Sequence, residues 1–263
     1  MKKLCLLVTC CLLATCSVFA QTKKAPPKAP VVKGAPTTCG SDPVLSSDGT
    51  DSQLDLIAPA SVAFYTLNAK GGHSYAVEVW DTVDQTAGMS PTITLLQSDC
   101  ATSVPNTQNV TSVDPDISGG FSYRLSWIQA SDATVEVQLS NPDQNNPYEY
   151  QIRVTDTTLF NPRWTTFSGF DTQWGLNNTT GGNITGTLTV VDNTGVVVAT
   201  IPETLPPGLV TVVGALASSV PTNKVGNATF AYIGPAGAVQ ADAYYLRSGQ
   251  TIPSVFASKH AYH

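Results

Sequence analysis

Alternation of apolar and polar residues is clearest between residues 59 and 81. Tyr65 and Leu67 alternate with less apolar positions before the pair Gly71–Gly72, and the two-residue period resumes after the glycines. This period is typical of a strand with one buried face, and the glycines supply the positive φ angles of a tight turn. We therefore predict a β-hairpin whose inward residues are Tyr65, Leu67, Tyr75, Val77 and Val79.

Further strand patterns fill the rest of the first half of the chain. They lie at residues 92–96, 121–129, 134–139 and 148–155. Turn residues separate them, and no helical period is visible. Because about 120 residues suffice to bury one core, we predict a β-sandwich over residues 37–157.

The strand pattern restarts after a predicted seam at residues 158–163. Turn sequences at residues 192–195 and 234–237 each join two apolar runs, which predicts two further hairpins. Seven strands in about 100 residues are typical of an immunoglobulin-like sandwich, although the Cys and Trp marks of true immunoglobulin domains are absent. We predict this second sandwich over residues 158–263.

Strand motifs in the first half carry a family resemblance. They are Tyr65-x-Leu67-x-Ala69, the glycine turn, Tyr75-x-Val77-x-Val79 and the closing strand Tyr148-x-Tyr150-x-Ile152-x-Val154. With these motifs, residues 40–157 resemble the bacterial pre-peptidase C-terminal domain, although the turn here is longer by Lys70 and Gly72. The resemblance implies a jelly-roll-like sandwich that is appended to secreted peptidases, is not itself catalytic and in some members binds calcium. The second half resembles immunoglobulin-like modules of secreted bacterial proteins.

The first 20 residues have the pattern of a cleaved signal peptide. Two lysines precede an apolar run at residues 4–16, and Val18 and Ala20 occupy the positions that signal peptidase reads. The run is shorter than the about 20 residues of a membrane-spanning helix. We predict cleavage after Ala20 and a secreted, extracellular or cell-surface protein without a transmembrane segment, with the periplasm as another destination. The alternative is a lipoprotein acylated at Cys16.

Removal of the signal peptide would also remove four of the six cysteines. Cys39 and Cys100 are the two that remain, and two cysteines in an exported protein most simply form a disulfide. Two free buried thiols are the alternative. Residues 21–36 are rich in Pro, Ala and Lys, which predicts a disordered linker ahead of the two sandwiches. The predicted fold class is therefore all-β, with two tandem antiparallel sandwiches after a signal peptide and a linker.

The net charge restricts the kinds of partner, and clusters of aspartates are candidates for one metal, calcium. From residue 37 onward the chain has 7 basic and 19 acidic residues, a net charge of −12, which disfavours nucleic acid because phosphate backbones are repelled. Clustered aspartates are calcium candidates, since hard cations take several carboxylate oxygens, but aspartate also favours turns. We therefore predict no metal or other cofactor, with calcium as the alternative. The candidates are Asp81, Asp84, Asp114 and Asp116, with Asp48 and Asp51 as a further pair.

Catalytic motifs are missing from the sequence. The histidines are His73 in a turn, interpreted as solvated, and His260 and His263 at the end of the chain. No carboxylate pair lies in an apolar setting that would favour acid catalysis, so we predict a protein that is not an enzyme. Trp80 lies on the strand face opposite Val79, where it could stack on a sugar or a partner; the alternative is that it is buried.

These patterns predict a function by exclusion more than by a positive motif. We expect a secreted or surface-attached, non-catalytic interaction or structural protein that binds a cell-surface or secreted protein. The alternative is a carbohydrate-binding accessory module of extracellular hydrolases, with a polysaccharide as its ligand. A sandwich fold by itself does not distinguish the two.

Overall fold

The computed structural model describes residues 33–40, 43–52, 54–81, 91–113, 121–247 and 250–252, which belong to one compact unit. Within these ranges the regular structure is β-strand, apart from one 3-10 turn at Phe167–Gly169. None of the described residues forms a helix that is long and apolar enough to cross a membrane. The predicted signal peptide and residues 21–32 of the predicted linker lie outside the described residues.

Nine strands of the described residues form the first sandwich: β1 (Lys33–Gly34), β2 (Asp55–Ile57), β3 (Val62–Ala69), β4 (Ser74–Asp81), β5 (Thr92–Gln97), β6 (Gln108–Val113), β7 (Phe121–Ile128), β8 (Ala133–Ser140) and β9 (Tyr148–Asp156). One sheet has the order β1-β2-β9-β4-β7-β6, and the facing sheet has the order β3-β8-β5. The short pair β1–β2 is parallel and the other neighbours are antiparallel. The last residues of the predicted linker are therefore part of a sheet.

The predicted hairpin at residues 59–81 is wrong. β3 pairs with β8, whereas β4 pairs with β7 and β9, so the loop at residues 70–73 crosses from one sheet to the other. The five predicted inward residues are nevertheless all buried, each at most 1% exposed. Two strands that are joined by such a crossing, called an arch, face the same core from opposite sheets. Alternation alone therefore does not distinguish an arch from a hairpin.

The predicted disulfide is confirmed. Cys39 and Cys100 are bonded, with 6.2 Å between their Cα atoms. The bond attaches the loop after β5 to a segment that runs along the free edge of β3. In that segment the Pro36 carbonyl accepts a hydrogen bond from the Phe64 amide.

Eight strands form the second sandwich: β10 (Leu159–Thr165), β11 (Phe170–Asn178), β12 (Ile184–Asp192), β13 (Val197–Leu205), β14 (Val210–Gly214), β15 (Val225–Ile233), β16 (Val239–Arg247) and β17 (Gln250–Ile252). Their two sheets have the orders β10-β15-β12-β13 and β14-β11-β16-β17. The predicted hairpin at residues 192–195 is confirmed as β12–β13, with Gly195 at φ +86°. The one predicted at residues 234–237 is wrong, because β15 and β16 lie in different sheets. The predicted seam is largely strand β10.

Each sandwich has its own hydrophobic core, which confirms the predicted all-β fold with two tandem sandwiches. Trp127 is completely buried in the first core and Trp164 in the second. The sandwiches touch where β15 approaches β4 and β7. There, the hydroxyl of Ser126 donates to the carbonyl of Gly234 at 3.1 Å.

Candidate functional site

Trp80 does not offer an open ring to solvent. The side chain is 7% exposed, and the guanidinium of Arg153 lies 5.0 Å from the centre of the indole ring. Arg153 is held there by a hydrogen bond of 2.6 Å from its Nε to Glu78 Oε2. The burial of Trp80 agrees with the alternative given above, and a role of Trp80 in binding stays a prediction that requires Arg153 to move away.

Most of the calcium candidates cannot be placed. Asp84, Asp114, Asp116 and the side chain of Asp81 lie outside the described residues. Of the further pair, Asp48 accepts the Thr50 amide at 2.9 Å, as expected of a turn residue. The described part of the chain contains no group of three or more potential metal ligands. Calcium binding at the first four aspartates stays an alternative to the prediction of no metal, and the described residues test neither.

His73 is paired, in contrast to the predicted solvated turn residue. Its Nδ1 lies 2.7 Å from Asp156 Oδ2. The neighbouring Ser74 is completely buried and accepts a hydrogen bond from the Thr157 hydroxyl. Because no substrate can reach the Ser74 hydroxyl in this conformation, the three residues do not form an accessible nucleophilic site. His260 and His263 lie outside the described residues.

An apolar strand edge is open on the second sandwich. β14 pairs with β11 on one side, and no described strand covers its other side. The Leu209 carbonyl and the Ala215 amide both bond toward β11. Since ladder groups alternate in direction along an antiparallel strand, those of Val210 and Val212 point to the free side. The side chains of these valines are 60% and 59% exposed.

Several other edges are covered or interrupted. The edge of β3 bonds to residues 36, 43 and 45, and that of β5 bonds to residues 102 and 104. In the second sandwich, β10 contains Pro162 and β13 contains Pro202, and proline prevents continuous strand addition because it has no amide hydrogen. β14 contains no proline, and no segment among the described residues covers its outer edge.

The surroundings of β14 are poor in charge. Between Asp192 and Lys224 the sequence contains one charged residue, Glu203. Glu203 shares the inward face of β13 with Leu205, where burial raises its pKa. The exposed side chains of β13 and β14 therefore carry no charge, although the Asp171 carboxylate of β11 accepts the Leu216 amide at 3.0 Å. On β14 and directly beside it, the large exposed side chains are Leu209, Val210, Val212 and Leu216; we call these four residues the β14 surface.

A groove of about 360 Å³ opens at the end of the second sandwich where β10 and β16 end and β11 and β15 begin. Tyr245 is fixed in it by a hydrogen bond of 2.8 Å from its hydroxyl to the Arg163 carbonyl. The ring of Phe167 is 55% exposed, and the guanidinium of Arg247 lies 5.4 Å from the centre of the Phe170 ring. The residues that line the groove are Arg163, Thr165, Phe167, Phe170, Val225 and Tyr245; we call it the aromatic groove.

Comparison with known proteins adds no assignment: no family model matches the chain, and no curated protein matches it either. The resemblances to a pre-peptidase C-terminal domain and to immunoglobulin-like modules therefore stay predictions. Sequence reasoning missed both the β14 surface and the aromatic groove. The uncharged stretch between Asp192 and Lys224 was a usable signal for the first. The groove combines the stretch at residues 163–170 with two residues that are distant in the sequence, Val225 and Tyr245, and alternation does not show that they meet.

Proposed function

We propose that this is a secreted or surface-attached, non-catalytic interaction protein that binds an extended strand of a secreted or cell-surface protein along β14. The observation that carries the proposal is the open edge of β14, with its outward valines and free ladder groups. Exposed apolar edges of this kind accept a strand from another chain. Backbone hydrogen bonds then supply affinity, and alternate side chains supply specificity.

The apolar character of the β14 surface supports the proposal. Of the nine large hydrophobic residues that are exposed among those described, four belong to this surface. Contiguous apolar patches on a soluble protein commonly mark interaction sites. The partner strand should be apolar on the face that covers Val210 and Val212, because these exposed valines are the side chains that it would contact.

A photo-crosslinking experiment on intact producing cells tests this function. A photoreactive phenylalanine analogue at Val212 should give one adduct with a second protein. The same analogue at Val44, which is exposed to a similar degree on the first sandwich (61% against 59%), should give none. Val210→Lys should abolish the adduct, since a lysine next to the pairing strand introduces a charge into the apolar contact.

Three results would contradict the proposal. They are no adduct at Val212, equal adducts at Val212 and Val44, and an adduct that consists of two copies of this chain. The last result would assign the β14 surface to self-association.

A further inference from the structure

We infer that the aromatic groove is a binding site for an acidic sugar, in which arginine binds the carboxylate of a uronic acid and the aromatic rings pack against the sugar ring. This site is separate from the β14 surface, so strand binding and sugar binding can each fail independently. The inference gives a place and a chemical class to the carbohydrate ligand that the sequence suggested as an alternative.

Charge is the first argument. The second sandwich carries two described arginines, Arg163 and Arg247, and both are at the groove. Neither forms an ion pair with a described carboxylate, whereas Arg153 and Lys224 each do. In a chain whose body has a net charge of −12, two such guanidinium groups at one groove favour an anionic ligand. Arginine binds carboxylates in a two-pronged geometry.

The shape and lining of the groove are the second argument. A volume of about 360 Å³ lies at the lower end of the range for small-ligand pockets, which are mostly apolar with a few polar groups. Phe167 and Tyr245 offer ring surface, and Arg163 lies beside them. A uronic acid carries its carboxylate directly on the sugar ring. One unit can therefore contact a ring and a guanidinium together.

Backbone bonding disfavours a peptide as the occupant. An extended peptide would bind by adding to a free strand edge. At the groove, however, the Thr172 hydroxyl accepts the amide of Thr165 and donates to the carbonyl of the same residue. The ladder groups of Thr165 are therefore occupied. On the other side of the groove, Tyr245 is paired with Ile252 of β17, so recognition must come from side chains.

Isothermal titration calorimetry of the full exported chain with trigalacturonic acid tests the inference. We expect saturable binding that weakens with added salt, because the attraction between exposed charges is screened. The fully methyl-esterified trisaccharide should not bind, since it has the same rings without the carboxylates. Arg163→Gln should weaken binding about tenfold, the usual effect of losing a hydrogen bond between charged groups.

Matched variants separate the groove from general effects. Phe167→Ala should weaken binding at least about fivefold, through lost ring contact, whereas Phe160→Ala should change it less than about twofold. Phe160 is exposed to a similar degree (52%) but does not line the groove. Lys70→Gln removes one positive charge from the first sandwich and should have no effect. Because Phe167 is exposed, its replacement leaves the fold intact.

The inference is overturned by any of four results: no saturable heat with trigalacturonic acid, equal binding of the methyl ester, equal losses from Phe160→Ala and Phe167→Ala, or tighter binding of an acidic, phenylalanine-containing tripeptide. The last result would assign the groove to peptide recognition. Retained binding in both Arg163→Gln and Phe167→Ala would also place the sugar elsewhere on the chain.

Discussion

Removal of single hydroxyl groups tests the buried polar cluster of the first sandwich. Tyr65 Oη lies 2.5 Å from Asp55 Oδ2 and 2.5 Å from Tyr150 Oη, and all three residues are buried. Tyr65→Phe keeps the aromatic ring and removes both of these hydrogen bonds. Tyr150→Phe keeps its ring as well and removes the bond to Tyr65 alone, which makes it a matched control.

The two variants should differ in stability by a predictable amount. A hydrogen bond to a charged group contributes about 1.5–3 kcal/mol, and one between neutral groups contributes about 1 kcal/mol. Tyr65→Phe should therefore lower the free energy of unfolding by about 3 kcal/mol, and Tyr150→Phe by about 1 kcal/mol. Urea unfolding at pH 7, followed by tryptophan fluorescence, to which Trp127 in the same core contributes, measures both. Equal losses in the two variants would refute the assignment of Tyr65 as the shared donor and acceptor.

The same cluster predicts a loss of stability in alkali. Burial raises the pKa of Tyr65 and that of Tyr150, so both phenols stay protonated in the folded protein. The unfolded chain releases these protons above about pH 10. The folded state then binds more protons, and stability falls as pH rises above 10. Tyr65→Phe should show a shallower decline between pH 9 and 11 in the same urea measurement.

Two further urea measurements test the connections in each sandwich. Replacement of both cysteines of the Cys39–Cys100 disulfide should cost up to about 4 kcal/mol, because the bond closes a loop with a sequence separation of 61; a loss below about 1 kcal/mol would contradict this. Gly226→Ala should cost about 3 kcal/mol or more, because a Cβ there would lie 1.9 Å from a backbone carbonyl oxygen, whereas Gly181→Ala has open space and should be nearly neutral.

Alternation predicted the faces of the strands better than their neighbours. Tyr65 and Tyr75 are both buried as expected, yet their strands lie in opposite sheets. Glycine-rich loops such as residues 70–73 and 234–237 fit either a hairpin or a crossing between sheets. The hairpin at residues 192–195 was predicted correctly, because an Asp-Asn-Thr-Gly sequence has the turn chemistry that brings adjacent strands together. Strand order depends on long-range packing, which a local period does not contain.

Binding residues were harder to predict than core residues for a related reason. Trp80 is on the outward face, as its position in the alternation indicates, but it is covered by Arg153, which is 73 positions later in the chain. The aromatic groove likewise combines Phe167 with Val225 and Tyr245. Such combinations arise only when distant strands are placed side by side. By contrast, Cys39 and Cys100 were predicted as a pair because export and cysteine number leave few alternatives.

The two sandwiches differ in how their charges are used, and this difference bears on where ligands bind. In the first sandwich, Arg153 lies between Glu78 and the ring of Trp80. Its positive charge is paired with the carboxylate, and its guanidinium covers the indole ring. In the second, Arg163 and Arg247 have no described carboxylate partner, although Arg247 lies 5.4 Å from the centre of the half-buried Phe170 ring. A ligand that stacks on Trp80 must displace Arg153 from its ion pair with Glu78, whereas a carboxylate that binds Arg163 breaks no ion pair among the described residues. We therefore expect variants of the second sandwich to alter binding, and variants of the first core to alter stability.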